Sequence, residues 1–123
     1  MSSLQQSLES RQLADVAPTV VILAKTPAAG IEVLTSTEEQ WAIPWSNFVG
    51  ARLFRSPDGD RIVVTFTEHE IVIEGLRLGS LLKEIAACRI EYLTPHPADC
   101  RFQPTSKVPH VWSVSVRLVN APL

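Results

Sequence analysis

Four residues of ligand type fall in the C-terminal part of the chain: Cys88, His96, Cys100 and His110. Two thiolates and two imidazoles are a donor set that zinc accepts. Their separations of eight, four and ten residues match no compact zinc module, and the periodicity around Cys88 turns that thiol toward the core. No metal is expected. Glu68-His69-Glu70 is the second candidate, because flanking carboxylates raise a histidine pKa and prepare it for proton transfer. That tripeptide falls at the tip of a hairpin, where water is not excluded, so no catalytic role is assigned to it. Gly75-Leu76-Arg77-Leu78-Gly79-Ser80 lacks the lysine and the spacing of a phosphate-binding loop. No G-x-S-x-G, H-E-x-x-H, C-x-x-C or dinucleotide glycine pattern occurs. The paired acids Glu38-Glu39 and Asp58/Asp60 lie in turns and read as solvated. No catalytic residue and no cofactor is predicted.

What remains is recognition. Trp41, Trp45 and Trp112 are the three tryptophans, and each either fills the core or forms part of an apolar patch for a partner or ligand. With Phe48 and His96 they make the candidate binding set: Trp41, Trp45, Phe48, His96 and Trp112. Eight arginines and three lysines are scattered and outnumbered by acids, giving a net charge of -2, so no basic stripe exists for nucleic acid. The start of the chain lacks the basic and apolar segments of a secretory signal. The apolar run over residues 20–24 is too short to span a bilayer. A cytoplasmic protein with no membrane association is expected.

These side chains need elements to hold them. Ile62, Val64 and Phe66 alternate with Val63, Thr65 and Thr67, and Ile71 and Ile73 alternate with Glu70, Val72 and Glu74. This predicts a hairpin with one wholly apolar face. A reversal within Thr67-Glu68-His69-Glu70 sets Phe66 opposite Ile71 and Val64 opposite Ile73, with a four-residue loop preferred because Glu-His does not suit a primed two-residue turn. From Leu78 the period changes, and Leu81, Leu82, Ile85, Ala86 and Cys88 share one helical stripe, with Ser80 or Gly79 as N-cap. The helix should stop near Cys88. A short strand over residues 90–93 follows.

Upstream, residues 19–25 and 31–35 read as strands around a Pro/Gly turn. Val20-Val21-Ile22-Leu23 fits a strand covered on both faces or a short buried helix. Trp41, Ile43 and Trp45 share a strand face, and Pro44 marks an edge or strand end. Residues 48–55 resume strand character. Ser56-Pro57-Asp58-Gly59-Asp60 is a turn with Pro57 and Asp58 at its corners and Gly59 at positive φ, and simple register sets Arg55 opposite Arg61. Residues 94–110, carrying four prolines, form a long irregular connection. In the last strand Trp112, Val114, Val116 and Leu118 alternate with Val111, Ser113, Ser115 and Arg117, which suits a sheet edge.

The expected fold is α+β: a twisted antiparallel sheet of about six to eight strands, curled as a roll or partial barrel, packed on one short helix. In outline this order resembles the pleckstrin-homology-like and Sm-like small barrels, although here a return strand and tail follow the helix and no binding residue carries over. Residues 1–16 should form a flexible or helical arm and residues 17–123 one domain. With no catalytic constellation, the expected function is a non-catalytic protein-binding or assembly module. The alternative is a small-molecule binder or enzyme with a pocket between helix and sheet, lined by groups such as Tyr92, His96 or Arg52.

Overall fold

The computed structural model describes residues 21–96 and 109–119. The N-terminal arm, Cys100 and most of the proline-bearing connection lie outside them. Within them the fold is α+β and mostly antiparallel, with eight strands and one helix. The strands divide between two four-stranded sheets that do not close into a barrel.

The chain crosses between sheets three times. Strands β1 (Val21–Leu23), β2 (Gly30–Leu34) and β3 (Gln40–Pro44) belong to the first sheet. A 3-10 turn, Trp45–Asn47, hands the chain to β4 (Phe48–Ser56), β5 (Gly59–Phe66) and β6 (His69–Leu76) of the second. Helix α1 (Gly79–Ala86) then leads back to β7 (Ile90–Leu93) in the first sheet, and β8 (His110–Leu118) completes the second. The orders are β1-β7-β2-β3 and β4-β5-β6-β8, and β2 and β7 are the one parallel pair among the described strands. Pro44 ends β3, an edge strand, where its missing N–H costs no ladder bond.

One core joins the two sheets. Ile31, Val33 and Ile43 from the first meet Ile62, Val64, Phe66, Ile71, Ile73, Val111 and Val114 from the second, and Leu78, Leu81 and Ile85 close it from the helical side. Each such side chain contributes about 1.5–3 kcal/mol by leaving water. This burial holds α1, which at eight residues is too short to persist alone.

The apolar face of the β5–β6 hairpin is as the alternation predicts, but its register differs. Val64 faces Ile71 and Ile62 faces Ile73, so the strands turn through Thr67 and Glu68 alone. The shift is by two positions, which keeps every isoleucine on the inner face. Neighbouring chain rather than a primed turn supports the tight reversal: the Thr67 N–H donates to the Asn47 carbonyl at 2.9 Å, and the Glu68 carbonyl accepts from the Val119 N–H at 3.0 Å. His69 and Glu70 are therefore strand residues. His69 lies against Trp41 with ring centroids 5.2 Å apart, and Glu70 accepts a 3.2 Å bond from Arg117.

In the β4–β5 hairpin Gly59 has φ +140°, as the turn chemistry requires. Arg55 faces Asp60, not Arg61, which replaces a repulsive pair with a complementary one. Asp60 is not merely solvated: its Oδ2 accepts from the Leu78 N–H at 3.1 Å and supplies the anionic cap of α1 that neither Ser80 nor Gly79 provides. At the other end the Arg89 N–H donates to the Glu84 carbonyl and the Cys88 N–H to the Ile85 carbonyl. This is a Schellman closure with Cys88, at φ 57°, where glycine is usual.

β1 is neither covered on both faces nor helical. It is a three-residue edge strand with a register irregularity between Ile22 and Leu23, which leaves both side chains exposed and explains why the run does not alternate.

Candidate functional site

β8 departs most from its sequence pattern. Glu74 pairs with Ser113 and Gly75 with Val111, so Trp112 is an extra residue in a bulge. Val111 is consequently fully buried, and Trp112 leaves the face it was expected to share with Val114 and is 44% exposed. Gly75 permits this, because a Cβ there would collide with the His110 carbonyl. Gly59 permits the rest: a Cβ on it would lie 2.8 Å from Cη2 of the indole. Two glycines, one in the turn and one opposite the bulge, thus make room for Trp112 on the outer face of the second sheet.

The indole forms part of a groove of about 280 Å3, with Phe54, Asp58, Asp60, Arg61 and Glu74 among its other walls. Phe54 is also exposed, and its ring is flanked by Arg52 and Arg61, each guanidinium carbon 5.2 Å from the centroid. Arg61 stands opposite Glu74 in the β5–β6 register. The groove therefore combines two aromatic walls with the carboxylates of Asp58 and Glu74 and the guanidinium of Arg61, whereas the Asp60 carboxylate turns to the N-terminus of α1.

Behind Trp112 the aromatic side chains continue inward. His110 lies 6.3 Å from the indole, and His96 stacks on His110 at 4.5 Å with a 14° interplanar angle. Burial pushes the His110 pKa below its ordinary value, and the nearby His96 and Arg77 push in the same direction. His96 also closes the β8 edge: its N–H donates to the Val111 carbonyl at 2.7 Å and its Nδ1 accepts from the Val111 N–H at 3.0 Å. Ser36 does the same one step along, donating its N–H to the Val114 carbonyl at 2.9 Å and accepting the Val114 N–H on Oγ at 3.0 Å.

The predicted site residues thus separate into three places. Trp112 and His96 are joined through His110. Trp45 and Phe48 sit together against Phe66, at centroid distances of 5.3 and 5.4 Å from Trp45, and the indole N–H of Trp45 donates to the Ile90 carbonyl at 2.9 Å. Trp41 is half-buried beside His69, its indole nitrogen without an acceptor among the described residues. Phe54, Arg61 and His110 were not among the predicted residues. The position of Phe54 against Arg61 follows only from the hairpin register, and the close approach of other groups to Gly59 and Gly75 was a signal left unread.

Two further depressions lie elsewhere. A shallow one of about 560 Å3 runs beside Gly30, Ala42 and Pro44 with Glu32 and Glu91 at its margin, and one of about 210 Å3 adjoins Trp41 and Tyr92. The interface of α1 with the sheets is packed by Leu78, Leu81 and Ile85. Among the described residues no three of His, Cys, Asp and Glu gather as metal ligands do, and no helix is long and apolar enough to cross a membrane. Comparison with known proteins finds no matching family model, curated protein or solved structure.

Proposed function

We propose that this chain is a non-catalytic protein-binding module of the cytoplasm, and that it engages its partner through the outer face of the second sheet around Trp112. The observation that carries this reading is an indole packed against Gly59 yet left 44% exposed. Large aromatic side chains that are already ordered lose little freedom on binding and commonly dominate interface energetics. The face is favoured over the neighbouring edge. Strand addition along β8 needs free backbone groups, and those of Val111 and Val114 are taken by His96 and Ser36.

Photo-crosslinking tests the reading. A benzoylphenylalanine at position 112 in the native cell should give a discrete adduct with one other protein, whereas the same group at exposed Val49 in β4 should not. Equal labelling from both positions, or none from 112, would count against it.

A further inference from the structure

We infer that the groove beside Trp112 receives a cationic side chain, arginine or lysine, from the partner protein; this rests on the reading that the Trp112 face is the binding surface. The walls select the charge. Asp58 and Glu74 supply two carboxylates against the single guanidinium of Arg61 among the residues that line it, so the groove has an acidic excess although the whole chain is close to neutral. Arg61 is already engaged, opposite Glu74 and against the ring of Phe54. The protein thereby contains the proposed interaction in its own fold, since Phe54 holds two guanidiniums at 5.2 Å. Trp112 has a stronger ring quadrupole than Phe54, and no guanidinium is placed over it among the described residues.

An anionic or plain apolar occupant fits less well. An anion would meet the carboxylates and the negative face of the indole, and the guanidiniums of Arg52 and Arg61 are already placed over Phe54. A purely apolar side chain would cover Trp112 but leave the Asp58 carboxylate beside it without a counter-charge. A guanidinium or ammonium on an apolar stem covers the ring and faces the carboxylates together.

The test is a titration of the full chain, followed by the indole N–H resonances of its tryptophans, with four blocked pentapeptides identical except for a central Arg, Lys, Gln or Glu. The Arg and Lys peptides should move the Trp112 resonance saturably, leave that of buried Trp45 in place, and bind more weakly as salt is raised. Asp58→Asn, on the exposed turn, should weaken the Arg peptide by about threefold to fivefold without altering the spectrum of the core. Equal or stronger response to the Gln or Glu peptide would overturn the inference, as would no response of Trp112 to any of them. Either result leaves the binding-face reading standing if photo-adducts still form at position 112. Loss of those adducts would instead remove the reading itself.

Discussion

At the scale of single residues, two glycines decide where the most conspicuous side chain goes. Gly75 brings β8 close enough to bulge, and Gly59 leaves space for the indole. Gly59→Ala should cost about 1–3 kcal/mol, because it combines positive φ with a clash, and should move the Trp112 indole resonance. Urea denaturation and the indole spectrum check both. His110 contributes a pH dependence. Its folded pKa lies below the unfolded 6.5, so the unfolded chain binds more protons between the two values. The stability it confers is complete above pH 6.5 and is lost as pH falls from there through the folded pKa. His96 and Arg77, the groups that face it, oppose its protonation. Urea midpoints measured between pH 7.5 and 5 should therefore fall with acid, and less steeply in His110→Gln.

At the scale of elements, the ends are held from outside. α1 takes its N-terminal anion from Asp60 on β5, and the β5–β6 reversal is held by Asn47 and Val119. Asp60→Ala should destabilise by about 0.5–2 kcal/mol, as loss of a cap does, with a lower urea midpoint and unchanged slope. Removing the Ser36 hydroxyl should cost about 1–2 kcal/mol, because the Val114 N–H is left without its acceptor. These supports explain what the sequence could and could not reveal. Alternation placed Ile62, Val64, Phe66, Ile71 and Ile73 on the correct face, since face depends only on parity. It misplaced the register by two, since register here depends on a turn stabilised by distant segments. The helix stripe was legible because Leu81 and Ile85 repeat at helical spacing, whereas its cap lies 18 residues upstream and leaves no local mark.

At the scale of the whole molecule, strand count, fold class and a single mixed helix–sheet core were readable from periodicity. The division into two sheets was not, because it depends on the 3-10 turn at Trp45–Asn47 and on β7 returning beside β2. The same limit applied to the site. Trp112 could fill the core or form a patch, and although it has the parity of buried Val114, one bulge turns it outward. The face that results has an exposed aromatic residue on its edge strand, charged groups around it and an edge occupied at Val111 and Val114 beside it. Trp112 is the central contact of the proposed surface. The most direct test of that role is the dissociation constant of the purified cross-linked partner for the wild-type chain and for Trp112→Ala, with circular dichroism confirming that both are folded. A loss of about tenfold or more is predicted for the variant. Affinities within about twofold of each other would contradict it.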